Sequence, residues 1–243
     1  RRHSADQAVQ AYSILEEAGV DNISIDLIFG LPQMDEALWR ETLSRALSIS
    51  SSGKPPKHIS AYQLSVEEDS MLEKLIEKGR WSEAGDEVCE RQYAVLCETL
   101  KAAGYNHYEI SNFAREGRRS RHNSSYWQSQ PYLGIGPAAH SFDGQNRVWA
   151  VSSVAEYLAG VDAGTCYEME HLIPEDRYNE TIMTALRCRE GVDLVALAEN
   201  FGRDRMEYFV AESARFVSSG ALVNDGNRIA MCPERWLVSD SVI

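Results

Sequence analysis

The sequence predicts an α/β chain in two parts: the C-terminal part of a (β/α) barrel over residues 1–165, and a small winged-helix-like α+β domain over residues 174–243. Three observations predict it. Helical and strand-like patterns alternate from Ser4 to YEIS at 108–111. After Pro174 the texture changes to short helices. A hairpin signal, ALVNDGNRIAM with Asp225-Gly226 at its turn, then supplies a β-wing.

Taken in order, Ser4 and Gln7 form a capping box, and Ala8, Tyr12, Leu15 and Ala18 trace a helical face that Gly19 ends. NISIDLIFGLP follows as a strand closed by a Gly-Leu-Pro turn. Side chains alternate along a strand, so Ile23, Ile25, Leu27 and Phe29 share one face and Ser24 and Asp26 the other. A second helix is expected over Asp35–Leu47, with Leu38, Trp39, Leu43, Ala46 and Leu47 on its apolar side. SSSGKPP is a loop and HISAYQLSV another strand. The charged stretch Glu67–Glu90 holds a short helix and starts a long one ending at AAGY. On that helix Cys89 and Cys97 share a stripe with Tyr93, Leu96 and Leu100, which reads as core packing. YEIS is a third strand. This alternation is the pattern of a parallel sheet with crossover helices, and three such units do not close a barrel. Either the sheet is open or further strands lie upstream of Arg1. Beyond Pro174, helices are expected over Glu175–Cys188, over DLVALAENFG and over Arg205–Ser218, the last ended by Gly220.

A formal charge of −13 argues against nucleic acid and anionic membrane surfaces as main partners, since both need a cationic face. Residues 175–243 carry 8 Lys+Arg against 12 Asp+Glu, so the winged-helix-like part is expected to pack on protein rather than DNA. Nowhere do eighteen apolar residues run together, so no integral membrane segment is expected, and RRHSADQ lacks the apolar core of a secretory signal. Five cysteines, at 89, 97, 166, 188 and 232, form an odd and widely spaced set with no CxxC or CxxxC pair. That usage points to a reducing cytoplasm with free thiols.

Three places could carry chemistry. Asp26 would point into a barrel lumen near the C-terminal end of its strand, where barrel active sites lie; a carboxylate there suits ligand hydroxyl or ammonium groups. A structural Asp paired with a neighbouring strand is the alternative. LGIGPAAHS (133–141) echoes a G-x-G-x-x-A dinucleotide loop but contains Pro137 and lacks a clear preceding strand; its glycines would let backbone approach a ligand, and His140 alone reads as a hydrogen-bonded structural histidine. The third place is SRHNSSYW. Arg115, Arg118, Arg119 and Arg121 are four cations within seven residues, His122 has a lone pair for iron, Tyr126 and Trp127 offer flat surfaces, and Asn123 can fix a loop or polar group. Haem needs an axial ligand, a packing wall and cations for its propionates. The alternatives are a solvated loop for the arginines and core packing for the aromatics.

HSADQAVQAYSILEEAGVDNISIDLIFGLP, HISAYQL, YEISNFAR, SRHNSSYW and YLGIGPAAHS occur in an order that resembles the oxygen-independent coproporphyrinogen III oxidase-like family of radical S-adenosylmethionine (SAM) proteins. The part LRCREGVDL…SGALVNDGNRIAMCPERWLVSD is similar to that family's small C-terminal domain. HNxxYW, here His122, Asn123, Tyr126 and Trp127, marks the resemblance as closest to the haem-chaperone branch. The resemblance implies SAM contacts at Arg1, Asp26, Ser65 and His140, and haem or porphyrin contacts at Arg121, His122, Asn123, Tyr126 and Trp127, with His122 as the iron ligand. It also implies a 4Fe-4S cluster in the full-length protein only. Three departures stand out: the CxxxCxxC cluster motif is absent, GLPQMD stands where GLPGQT is usual, and PERW at 233–236 replaces a T-x-x-G pattern.

The resemblance therefore implies a cytoplasmic haem chaperone that binds haem and passes it to an acceptor protein, such as a respiratory one. Oxygen-independent coproporphyrinogen III oxidation is the enzymatic alternative, and a non-catalytic protein-interaction fragment is the third. Without cluster cysteines this chain alone is expected to be inactive as an enzyme and to assemble no 4Fe-4S cluster. Apolar surface where upstream strands would pack is expected to favour self-association.

Overall fold

The computed structural model describes residues 3–241. They form two compact units: one runs to Ser120 and includes Pro233–Leu237, and the other comprises Arg121–Cys232. Arg1, expected to contact SAM, lies outside the described residues.

The first unit begins with α1 (Ala5–Glu17), capped as expected: Gln7 N–H donates to Ser4 Oγ and Ser4 N–H to Gln7 Oε1. The expected apolar face is only partly used. Tyr12 is buried, whereas Leu15 is 41% and Ile14 56% exposed. The helix is held instead by polar contacts: the Glu16 carboxylate accepts from Ser50 Oγ, Ser51 N–H and Ser52 Oγ in the turn at 50–53. β1 (Ser24–Phe29), α2 (Glu36–Leu47) and β2 (His58–Gln63) then form the parallel unit the alternation predicts, with Asp26 beside Ser60 in register. Asp35 caps α2 by accepting from Leu38 N–H; Trp39, Leu43 and Ala46 are buried, but Leu38 is 47% exposed. α3 (Met71–Glu77) and α4 (Asp86–Ala102) follow, and α4 packs against α2 and β1 with Cys89, Tyr93, Leu96 and Leu100 in the core.

The third strand departs from expectation. YEIS does not make a parallel strand; it is part of a hairpin of β3 (Asn106–Glu109) and β4 (Asn112–Ala114). The sheet order is β1-β2-β4-β3, with β2–β4 and β4–β3 antiparallel. A two-residue link cannot make a parallel crossover, which takes a dozen residues or more, so the chain folds straight back. On the core side His107 stacks on Phe113 (4.0 Å between ring centroids) and meets Trp236 edge-on at 4.5 Å. Trp236, in the 3-10 segment Pro233–Ser241, is fully buried.

The second unit opens with α5 (Arg121–Trp127) and an antiparallel sheet of β5 (His140–Phe142), β6 (Asn146–Ala150) and β7 (Tyr167–His171), with α6 (Val154–Gly160) between its last two strands. None of that sheet was expected from the sequence: its strands are only three to five residues long, and Arg147, Glu168 and Glu170 line one face. The winged-helix-like part is as expected: α7 (Pro174–Leu186), β8 (Val192–Asp193), α8 (Leu194–Phe201), α9 (Arg203–Ser218), then the wing of β9 (Leu222–Asn224) and β10 (Arg228–Met231). Asp193 caps α8 by accepting from Val195 and Ala196 N–H, and its other oxygen accepts from Arg228. Arg203 and Arg205 of α9 are paired with Glu207 and Glu175, so the helix that would enter a DNA groove has committed its leading cations.

Candidate functional site

Two regions hold chemically useful groups, one in each unit. The first is one face of the β1-β2-β4-β3 sheet. Residues in register across a sheet point to the same side, so Ser24, Asp26 and Ile28 of β1 share a face with His58, Ser60 and Tyr62 of β2 and with Asn112 of β4. Asp26 is exposed and makes no ion pair among the described residues. Beside it, Ile28 and Tyr62 are 46% and 43% exposed.

The deeper end of this face is polar and buried. His58 shares a hydrogen bond with Ser24 Oγ through Nδ1 and with the Tyr108 hydroxyl through Nε2, both 2.8 Å. Ser120 N–H donates to the same hydroxyl. Burial lowers the His58 pKa, with the Asp26 carboxylate pulling the other way. Glu109 is buried, and its carboxyl accepts from Ser111 N–H and from the backbone and side chain of Asn112. Burial outweighs those bonds and pushes it up to about 7. With the Asn112 amide nitrogen on Glu109, the Oδ1 atom is left buried without a partner, an arrangement that costs about 1–3 kcal/mol if it stays unmet.

The turn after β1 is clamped. Gln92 of α4 accepts from Gly30 N–H at 2.7 Å and donates to the Met34 carbonyl at 2.6 Å, while Trp39 Nε1 donates to the Gln92 carbonyl. Gly30 has φ +76°, and a Cβ there would crowd Gln63 and the Cys89 sulfur at 3.2 and 3.3 Å. GLPQMD is thus an ordered turn built on a buried glutamine.

The second region is α5 and the segment after it. His122 and Tyr126 lie one helical turn apart, and their rings meet edge-on at 4.9 Å. Both are exposed, and the His122 ring nitrogens carry no hydrogen bond among the described residues. Tyr126 meets Tyr132 edge-on at 4.7 Å, and Tyr132 packs near Phe142. Asn123 and Trp127 are half-buried; Arg121 is exposed at the start of the helix. Two of the four arginines lie over tyrosine rings. Arg115 lies over the Tyr105 ring at 4.4 Å and Arg119 over the Tyr108 ring at 5.2 Å, both in the first unit.

Ser65 is exposed just beyond β2 and donates to Glu67, and His140 is exposed at the start of β5, where its ring stacks on Trp149. Asp26 and Ser65 therefore belong to the first unit, and His140 with Arg121–Trp127 to the second. The glycine loop serves the chain itself: a Cβ on Gly134 would sit 2.1 Å from the His140 carbonyl oxygen. Glu109, Asn112 and the Ser24–His58–Tyr108 chain escaped sequence reasoning. YEIS and HISAYQ carried their residue types, but only the antiparallel return of β4 brings them to the Asp26 face.

For SAM, the test is whether this face can hold a molecule rich in hydroxyl and ammonium donors. An exposed carboxylate and a buried acceptor without a donor, in one row across three strands, fit such a molecule. For a 4Fe-4S cluster the result differs. Among the described residues no group of three or more His, Cys, Asp or Glu is placed to hold a metal, and none of the five cysteines is in a disulfide. The cysteines do not fit a cluster, and burial pushes the Cys97 thiol up to about 12, away from thiolate chemistry. No described helix is long and apolar enough to cross a membrane.

Residues 172–238 match the family model described as the HemN C-terminal domain. Among curated proteins the chain is 29% identical to the heme chaperone HemW of Bacillus subtilis, over 100% of this chain and 63% of that protein. It is 30% identical to the heme chaperone HemW of Mycobacterium tuberculosis, over 100% of this chain and 60% of that protein. A Danio rerio protein, radical S-adenosyl methionine domain-containing protein 1, mitochondrial, is 37% identical over 58% of this chain and 30% of its own length. The solved structure of coproporphyrinogen III oxidase (HemN) from Escherichia coli superposes with a TM-score of 0.74 at 18% identity, covering 99% of this chain and 58% of that one. At that identity the likeness shows the fold: the mixed α/β architecture is that of the matching part of a radical SAM enzyme. The chain spans 60–63% of the length of the HemW proteins named here. The family resemblance carried by the short motifs thus extends over the whole chain.

Proposed function

We propose that this relative of the heme chaperone HemW proteins binds haem through the SRHNSSYW helix and delivers it to an acceptor protein. The observation that carries the reading is the exposed His122 ring, whose nitrogens carry no hydrogen bond among the described residues and which meets Tyr126 edge-on. Neutral imidazole is a common iron ligand, and an edge-on neighbour limits the orientations it can take. Tyr126 and Trp127 supply flat apolar surface, Arg121 a cation for a propionate, and Asn123 a polar contact at the helix. Exposure suits cargo. A ligand reached from solvent can also be reached by the acceptor that takes the haem away.

The reading assigns SAM to the Asp26 face. Asp26 accepts from ribose hydroxyl or ammonium groups, and Ser65, beyond β2, offers a further polar contact. Arg1 and His140 stay in the proposal by resemblance. When bound with a cluster in the full-length protein, SAM would supply radical chemistry; no step of that kind is assigned to this chain, whose described cysteines do not fit a cluster. Cysteines without disulfides fit a reducing cytoplasm.

Titrating haem into the purified protein and following its absorption band tests the reading. Saturable binding that weakens by at least about tenfold in His122→Ala is expected, the lower end of what losing even an outer-shell partner costs a metal site. Undiminished binding by that variant would remove His122 from the proposal. Conversion of coproporphyrinogen III to protoporphyrinogen IX by the full-length protein would favour the oxidase instead.

A further inference from the structure

Four side chains stand in one row across the first sheet. Asp26 of β1 is in register with Ser60 of β2, Ser60 with Asn112 of β4, and Asn112 with Glu109 of β3. Residues in register share a face, so the row runs inward from the exposed Asp26 carboxylate to three buried polar side chains. Asn112, only 3% exposed, is bonded at one end of its amide. The side chain bonds to the Glu109 carboxyl, and Oδ1 is buried without a partner. A buried acceptor in that state is uncommon, because most such atoms are paired. Tyr62 lies two residues beyond Ser60 on the same face; it is 43% exposed, and its hydroxyl makes no hydrogen bond among the described residues. Its ring can turn aside without breaking one, which opens the row to a molecule entering from Asp26.

We infer that Asn112 determines specificity on this face: its Oδ1 accepts from the neutral exocyclic amine of a bound adenine nucleoside, and Glu109 is the positioning residue that keeps this oxygen turned to the ligand. The inference rests on the assignment of SAM to the Asp26 face and names the group that the face selects. An uncharged donor suits the inner end of the row. Burial there disfavours charge strongly enough to push the Glu109 carboxyl up to about 7, so an ammonium would be costly to bring in. Hydroxyl and ammonium groups are left to the exposed end, at Asp26. Neighbouring strands lie about 4.8 Å apart, so Asp26 and Asn112, two strands apart, engage different parts of one nucleoside.

The orientation of the amide depends on the Glu109 proton. An ionised carboxylate only accepts, so it takes the Asn112 Nδ2 hydrogen and leaves Oδ1 for the ligand. A protonated carboxyl can donate to Oδ1 instead, which turns the amide over and removes the acceptor. Tyr93 of α4 and Tyr108 of β3 interact electrostatically with Glu109, and burial pushes both hydroxyls up, Tyr108 to about 12, so neither changes charge near neutrality. Arg119 lies over the Tyr108 ring and keeps its charge throughout. His58 of β2, bonded to Tyr108, is lowered by burial. Its titration acts alike on two ligands that differ only in the amine.

The test is calorimetric titration with S-adenosylhomocysteine and with its purine counterpart lacking only the 6-amino group. At pH 8 the unaltered protein is expected to prefer the amine-bearing ligand by about tenfold, the cost of leaving a buried acceptor unmet. The preference should shrink as pH falls from 8 to 6. Asn112→Leu should bind the two ligands about equally, and Glu109→Gln should show a preference that does not vary with pH. Equal binding of both ligands by the unaltered protein at pH 8 overturns the inference and leaves the SAM reading standing. A preference retained in Asn112→Leu, with thermal unfolding intact, overturns the role of Asn112. A pH-independent preference in the unaltered protein, or one that still follows pH in Glu109→Gln, overturns the role of Glu109. If the unaltered protein binds neither ligand, the inference and the SAM reading fall together. The ligand comparison in the unaltered protein needs no variant, so it decides the matter even if Asn112→Leu fails to fold.

Discussion

The Asp26 face and the α5 segment solve opposite problems. Around the exposed Asp26 carboxylate, the sheet's other polar groups are held by neighbours: His58 between Ser24 and Tyr108, Glu109 against the backbone at 111–112, and the Gly30 turn on Gln92. On α5 His122 and Tyr126 stand in solvent, and their rings meet edge-on. Fixed acceptors suit a resident, donor-rich molecule, because no reorganisation is needed to receive it. They would repel carboxylates, so porphyrin propionates do not belong there. Exposed aromatic groups suit a flat cargo that must leave again.

The contrast can be broken most forcefully at Gln92. Gln92→Leu keeps the volume but strands the Gly30 N–H and the Met34 carbonyl. A loss of about 2–5 kcal/mol is expected in denaturant unfolding, from two buried groups left unmet. Substitutions on α5 should show nothing comparable. If Gln92→Leu proves as mild as a surface change, the sheet face is not locked as described.

Glu109 gives the next effect. Its folded-state pKa, raised to about 7 by burial, means the native state holds the proton more tightly than the unfolded chain. Its contribution is therefore complete below the ordinary glutamate range and is lost as pH rises towards 7 and past it. The unaltered protein should lose roughly 3 kcal/mol relative to Glu109→Gln between pH 4.5 and 7.5. His58, lowered by burial, tilts both proteins the opposite way and cancels in the difference. A difference in stability that stays flat across this range would contradict the buried, protonatable carboxyl.

Tyr126→Ala is expected to have the smallest effect. Removing one edge-on aromatic contact should lower haem affinity about threefold to tenfold, with unfolding nearly unchanged at this exposed site. A large loss of stability would show that the Tyr126 contacts are structural rather than a ligand surface.

Much of this was legible in the sequence, unevenly. Local signals read well. The Ser4 and Asp35 caps, the Asp26 face of β1 and the Asp225-Gly226 hairpin depend on neighbours within a few residues. What escaped depends on long-range register. YEIS reads as one more parallel strand until its short link turns β4 back beside β2, and only then do Asn112 and Glu109 share a row with Asp26. The β5–β7 sheet escaped because its strands are only three to five residues long and largely exposed, so the alternation in YEMEH is too short to stand out. SRHNSSYW stood out by composition, but the sequence did not show that the preceding Arg115 and Arg119 lie over tyrosine rings of the first unit.

The central claim is that the two regions hold different ligands, and a reciprocal titration tests it most directly. Haem and S-adenosylhomocysteine, a SAM analogue with the same ribose and ammonium groups, would each be titrated into the unaltered protein, Asp26→Asn and His122→Ala. Asp26→Asn should lose about tenfold or more in S-adenosylhomocysteine affinity, as expected for a hydrogen bond to a charged group, and keep its haem affinity. His122→Ala should do the reverse. If either substitution weakens both ligands equally, with folding intact, the two regions form one site and the account is wrong.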